Sequence, residues 1–264
     1  MRIITDEKYT AERSVVALGM FDGVHIGHRV LLERAAFLAR EKGVPLIVRT
    51  FLEHPLQLIA PEKCPPMLAT FEERNALMEE LGVDVLVAQP FTKETMELLP
   101  EEYVGHLVRR FHPTDVVCGY NHTFGKKGQG TPALLEALGA ALGFAVSVVP
   151  KITYEGADVS STVIRGLLAN GDVDIAARML KRAYRLDAKL VSREGSLCAL
   201  VLNADGKQRL PAGRYRAACT DGAHRYPVVV CFEENDRAHL RLPERCELGE
   251  NLQLHMITSC SVDF

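Results

Sequence analysis

The chain changes its hydrophobic rhythm once, and that change restricts the fold more than any other feature. Over the first 150 residues or so, short apolar runs alternate with helical patterns. The runs "SVVALG" (14–19), "VPLIVRTF" (44–51), "VDVLVA" (83–88), "TDVVCG" (114–119) and "FAVSVV" (144–149) suit strands buried on both faces. Between them lie segments with helical spacing and stops. "RVLLERAAFLAREKG" (29–43) places Leu31, Ala35 and Leu38 on one face and ends on Gly43, a left-handed stop. "RNALMEELG" follows Thr70 and Glu73, spaced as a capping box; Pro100 fits the first turn of "PEEYVGHLVRRF"; Thr131-Pro132 opens a helix that stops at Gly143. Five strand-helix alternations predict an α/β fold with a Rossmann-like, doubly wound parallel sheet. Two helical pieces follow, "SSTVIRGLLANG" (160–171) and "DVDIAARMLKRAY" (172–184). Beyond about Arg185 the period becomes two, in "AKLVS", "LCALVLN", "GRYRAACT", "YPVVVCFEE", "RAHLRLP" and "NLQLHMITSCSV", separated by Gly, Asp and Pro turns. This pattern predicts a small all-β, barrel-like domain. The expected domains are 1–184 and 185–264.

The 264 residues carry a net charge of only -3, which argues against a general binder of nucleic acid or of acidic membranes, so any anion site is local. The seven cysteines (64, 118, 198, 219, 231, 246 and 260) are scattered, odd in number and without a C-x-x-C pair. That usage suits reduced thiols serving as small apolar fillers rather than a disulfide framework or a zinc knuckle. No stretch offers a leader-like apolar run at the N-terminus or a membrane span later, so a cytoplasmic protein is expected.

Chemistry concentrates in "GMFDGVHIGH" (19–28), where the first of these strands hands over to a helix. Open parallel sheets bind ligands beyond the carboxyl ends of their strands, and helix N-termini there present free N–H groups and a positive dipole to anions. Gly19, Gly23 and Gly27 let backbone approach a phosphate, and His25 and His28 place two imidazoles beside it. Such histidines can donate hydrogen bonds as charge builds on a leaving group. Composition alone leaves a second reading open, a glycine-rich turn with surface histidines, because neither a Walker A lysine nor a full dinucleotide fingerprint is present. No carboxylate or third histidine stands at ligand spacing, so no metal site is expected.

The stretch resembles the H-x-G-H signature of the nucleotidyltransferase superfamily. Its longer form, G-x-F-D-G-V-H-x-G-H, is similar to the FMN adenylyltransferase module of the bacterial riboflavin kinase/FAD synthetase family. "TFLEHP" (50–55), "GYNHTFGKKGQG" (119–130) and "SSTVIR" (160–165) match that module in order, so the resemblance covers roughly residues 14–184. It implies a nucleotidyltransferase domain that moves AMP from ATP to the phosphate of FMN, giving FAD and pyrophosphate, with Mg²⁺ neutralising the polyphosphate. Gly19, Phe21, Asp22, Gly23, His25, Gly27 and His28 would then hold ATP, and His25, His28 and Arg165 would be catalytic. Ser160, Ser161 and Thr162 stand where a helix begins and can cap it or bind phosphate, while Arg165 can fork onto the triphosphate. On the flavin side the resemblance points to Phe51, His54, Pro55, Asn121, Phe124 and Gly125. Lys126 and Lys127 would neutralise the FMN phosphate, or else form a solvated surface pair. The partners implied are small molecules, with no nucleic acid and no membrane; oligomeric state is not legible.

The chain also departs from the family. Glu53 stands where a proline is common before His-Pro, and His122 where an aromatic residue is common. The second domain keeps an altered "LKRAYRLDAKLV" (180–191) and an "LPAGRYRA" turn (210–217), but the intervening "SREGSLCALVLNADGKQR" lacks the nucleotide-cradling turn and the P-T-A-N segment of the family's riboflavin kinase. Its final "SCSVDF" comes without the usual helical segment. An adenylyltransferase with a degenerate kinase-like domain is therefore expected. The alternatives are a bifunctional enzyme with an unusual kinase site and a non-catalytic flavin- or nucleotide-binding protein.

Overall fold

A computed structural model describes residues 1–203, 206–242 and 246–260. The chain forms two compact units, Met1–Pro65 with Ala69–Asp158 and Pro66–Leu68 with Val159–Phe264.

The first unit is built on a six-stranded parallel sheet: β1 (Arg2–Ile4), β2 (Ser14–Leu18), β3 (Leu46–Phe51), β4 (Val85–Gln89), β5 (Pro113–Gly119) and β6 (Ala145–Val149). Their spatial order is β1-β4-β3-β2-β5-β6. Every residue of β2 is buried, with Val15 and Ala17 in one core layer and Val16 and Leu18 in the other. Helix α1 (Ile26–Lys42) and, after the short α2 (Leu56–Ile59), α3 (Phe71–Glu80) cover the first layer through Leu31, Leu32 and Met78. After the short α4 (Lys93–Glu97), α5 (Pro100–Phe111) and α6 (Pro132–Leu142) cover the other through Tyr103, Leu107 and Leu135. Helices on both faces make the sheet doubly wound, as the alternation predicts. The ends also follow local chemistry: Thr70 and Glu73 close a capping box on α3, and Thr131 caps α6, which ends on Gly143 at φ 85°.

The topology fixes where a ligand can enter. From β2 the chain winds through β3 to β4 on one side, then crosses to β5 on the other side of β2. The switch point lies between β2 and β5, and the loops beyond their carboxyl ends, after Leu18 and Gly119, flank the crevice used by open α/β sheets. β1 is a strand the periodicity does not reveal; it pairs in parallel with β4 at the edge.

The first unit ends on a small two-stranded ladder, β7 (Thr153–Tyr154) and β8 (Ala157–Asp158), and the second continues with α7 (Ser161–Asn170) and α8 (Val173–Leu180). Six antiparallel strands follow, β9 (Tyr184–Glu194), β10 (Leu197–Asn203), β11 (Gly213–Thr220), β12 (Arg225–Phe232), β13 (Arg237–Arg241) and β14 (Asn251–Ser259). They close a barrel in the order β10-β13-β12-β11-β14-β9. Alternate residues such as Tyr184, Leu186 and Ala188 fill its interior, the period-two pattern at work. Residue 184, expected near the domain boundary, begins the barrel, whereas the second unit resumes after Asp158 and includes α7 and α8 with it. All seven cysteines are free thiols. Burial pushes Cys118 up to about 11 and Cys219 up to about 12, as inert apolar fillers require. No helix among the described residues is long and apolar enough to cross a membrane. Of the expected features, the last four residues of "SCSVDF" and Ala204-Asp205 of the kinase-like stretch lie outside the described residues.

Candidate active site

The loop after β2 is wound tightly. Phe21 sits at φ 54°, Gly23 at φ 75° and Val24 at φ 41°, so three of four successive residues are left-handed, a costly conformation that persists only where surroundings enforce it. The surroundings are specific. Arg74 of α3, 1% exposed, donates from Nη1 to Met20 O at 2.9 Å and from Nη2 to Leu52 O at 2.9 Å, tying this loop to the one after β3. Thr50 Oγ1 donates to the same Met20 carbonyl at 3.2 Å. Asp22, 2% exposed, accepts from Ala69 N at 3.3 Å and favours the charged form of Arg74, against the burial that lowers its pKa. Both Nη groups of this buried arginine thus have acceptors, while its Nε has no hydrogen-bond partner among the described residues; removing the side chain would strand the carbonyls.

The paired histidines are the product of this bracing. His25, 6% exposed, is the N-cap of α1, and its Nδ1 accepts the His28 N–H at 3.4 Å. An accepting Nδ1 puts the proton of the neutral ring on Nε2. Gly27 permits the packing, since a Cβ there would stand 3.2 Å from the His25 ring. The His25 and His28 rings stack with centroids 3.7 Å apart and planes 15° from parallel, and the Phe21 ring meets His28 edge-on at 5.3 Å. Burial, then His25, then Arg74 hold the His28 pKa well below the usual imidazole value. His28 is thus neutral at pH 7, a hydrogen-bond donor rather than a cation, and its Nδ1 is buried with no partner among the described residues.

At the switch point this loop opens onto a cleft of about 310 Å³. Six of the residues expected from sequence line it: Gly19, Phe21, His28, Phe51, Pro55 and Asn121. Others serve its walls. Phe124 is buried with its ring 5.3 Å from Tyr103, and Gly125 has φ 70° at a place where a Cβ would stand 2.8 Å from Pro100 N. His54 turns inward to accept from Leu56 N at 3.2 Å. Lys126 is paired with Glu97 at 2.5 Å on the surface, and neither it nor Lys127 lines the cleft.

The 160–165 segment belongs to the second unit. There Ser160 caps α7 by accepting from Val163 N at 3.2 Å, and Arg165 Nε donates to Pro66 O at 2.7 Å. Thr162 is exposed and Ser161 half-buried. Among the cleft residues not read from sequence as functional are Arg49, Tyr103 and Arg74's partner Met20. The signal for the first was there, an arginine inside an otherwise apolar strand.

The FAD synthetase family's sequence model matches residues 7–163, more than half of the chain. The chain belongs to the FAD synthetase family. Among its relatives, the bifunctional riboflavin kinase/FMN adenylyltransferase of Listeria monocytogenes serovar 1/2a is 35% identical over 182 residues, 69% of this chain and 58% of the relative. That of Bacillus subtilis strain 168 is 35% identical over 174 residues, 65% and 54%. The matched region therefore spans little more than half the length of these FAD synthetase relatives. A solved structure described as a macrolide-efflux protein from Streptococcus pneumoniae shares the fold across 100% of this chain and 92% of its own, with TM-score 0.88 and 24% identity. The two-unit architecture of this family member, barrel included, thus recurs in a solved structure.

Proposed function

We propose that this chain is an FMN adenylyltransferase, moving AMP from ATP to FMN and releasing pyrophosphate. One observation carries the reading: a single cleft joins the H-x-G-H loop, through Gly19 and His28, to Phe51, Pro55 and Asn121 on the flavin side. An oxygen of the FMN phosphate attacks the α-phosphorus of ATP; the P–O bond to pyrophosphate breaks and its electron pair leaves with that product. The nucleophile is already an anion, so no general base is needed. What the site must supply is position and charge stabilisation. Stacked His25 and His28 at the start of a 17-residue helix suit that task, with neutral His28 offering an N–H to phosphoryl oxygens as a hydrogen-bond donor rather than as an acid. Phe21, Gly19, Gly27, Asp22 and Gly23 would shape the ATP side, the last two by holding the loop. Phe51, Pro55 and Asn121 would touch the flavin, with His54, Phe124 and Gly125 behind them. Arg165, Ser160, Ser161 and Thr162 are assigned to the triphosphate by their motif.

Magnesium fits as part of the substrate. Among the described residues no group of three or more His, Cys, Asp or Glu stands together to cage a metal, and Mg²⁺ commonly binds through substrate phosphates while keeping several waters. We further propose that the barrel is not a kinase. Its β9 and β10 are joined by only Gly195 and Ser196, which supports the reading that no nucleotide-cradling loop lies there. Free thiols support a reducing, cytoplasmic setting. Incubation of the pure chain with Mg-ATP and either FMN or riboflavin, followed by chromatographic separation of flavins, tests both parts. FAD from FMN and no FMN from riboflavin is expected.

A further inference from the structure

Arg49 is the one formally charged side chain among the residues that line the cleft, and no carboxylate lines it. The residue lies near the carboxyl end of β3 and is half-buried. Its guanidinium carbon stands 4.4 Å from the centroid of the Tyr103 ring and 5.9 Å from that of Phe51. Two aromatic faces hold the plane of the fork while leaving its N–H groups unused. No hydrogen-bond acceptor or carboxylate among the described residues takes them.

That sets Arg49 apart from its neighbours. Arg74 donates to backbone carbonyls, and Arg110, which lines an adjoining cavity of about 320 Å³ that shares Arg49 and Phe51, donates to Gln89 Oε1 and Asp6 O. Lys126 is paired with Glu97. The positive charge of Arg49 is felt nearby: after burial, it is the second cause holding His122 down at about 4. Glu7 and Glu94 line the adjoining cavity, whereas on the cleft side the half-buried guanidinium has no counter-charge, a site suited to an anion, and its planar fork matches a phosphate.

We propose that Arg49 binds the phosphate of FMN and makes the site select phosphorylated over unphosphorylated flavin. The proposal rests on the adenylyltransferase reading for the identity of its ligand. It assigns to Arg49 the role that the sequence offered to Lys126 and Lys127, which do not line the cleft.

Equilibrium binding of FMN and of riboflavin to the full chain, followed by flavin fluorescence without ATP, tests it in wild type, Arg49→Met and Arg49→Lys. Arg49→Met should weaken FMN binding about 10- to 100-fold, the usual cost of a lost charge-assisted contact, and leave riboflavin within about twofold. Arg49→Lys, which keeps the charge and guards against a folding defect in the methionine variant, should recover part of the FMN affinity. Equal losses for the two flavins would overturn the proposal, because Arg49 would then serve the ring. So would unchanged FMN binding, or a loss confined to ATP in a parallel titration. If wild type distinguishes FMN from riboflavin through Arg49 yet makes no FAD, the proposal stands and the adenylyltransferase reading falls; if wild type binds neither flavin, both fall.

Discussion

The two units differ at two buried histidines. In the barrel, buried polar groups hold strands: Tyr184 Oη donates to Gln208 O at 2.5 Å, Lys207 Nζ to Arg185 O at 2.7 Å, and Tyr215 Oη to Pro211 O at 3.0 Å. In the sheet unit, the buried ring nitrogens His28 Nδ1 and His122 Nε2 have no partner among the described residues. A group buried and unsatisfied costs about 1–3 kcal/mol. Such a cost persists where function requires it, and both of these rings line the cleft. The difference supports the proposal that the flavin cleft of the adenylyltransferase reading lies in the sheet unit.

The largest expected effect follows directly. Exchanging His28→Ala removes a cleft donor from the braced loop and should lower the rate of FAD formation by about 100-fold or more, as loss of an oxyanion-type donor does elsewhere. The circular-dichroism spectrum should be unchanged. Near wild-type turnover would take His28 out of the mechanism and erase the contrast between the units.

The next effect is a pH dependence confined to the sheet unit. Although His122 as a whole is only partly buried, its Nε2 is sealed, and desolvation first and Arg49 second hold its pKa down at about 4 in the folded chain, against an ordinary 6.5. Between these values the unfolded chain takes up a proton that the folded chain refuses. Stability therefore falls as pH drops from 6.5 towards 4, by at most about 1.4 kcal/mol per pH unit, and is untouched above 6.5. Urea midpoints across that window should be flatter in His122→Gln than in wild type; equal slopes would remove His122 as the cause.

The smallest effect lies in the barrel. Tyr215→Phe deletes the hydroxyl that reaches Pro211 O and should cost about 1 kcal/mol of stability in thermal unfolding. The rate of FAD formation should not change. A loss of rate comparable to that of the histidine variant would give the barrel a part in catalysis.

How much of this was legible in the sequence depends on range. The four inner strands and the longer helices were, because burial on both faces leaves a mostly apolar run and caps are written in neighbouring residues; β6, an edge strand, was legible from its apolar residues alone. β1 was not: three residues, two of them exposed, carry no period. Helix α1 starts at Ile26, inside the motif and earlier than its apolar spacing suggests, since Gly27 and the stacked histidines occupy its first turn. Alternation announced the barrel strands, but closure depends on β10 pairing with β13 and β9 with β14, which no local pattern contains. The same holds for the site. His25 and His28 stood out by spacing, whereas Arg49 and Tyr103 reach the cleft, and Arg74 reaches the loop beside it, only because β3 lies beside β2 and α3 and α5 pack across them. Ser160 shows the converse, a residue singled out for phosphate that the fold uses at least as a helix cap.

The most direct test of the central claim is the flavin product profile of the pure chain with Mg-ATP. FAD from FMN, with riboflavin left unconverted, is the predicted result. Absence of FAD from FMN would contradict an active adenylyltransferase cleft, and FMN appearing from riboflavin would contradict a barrel that is not a kinase.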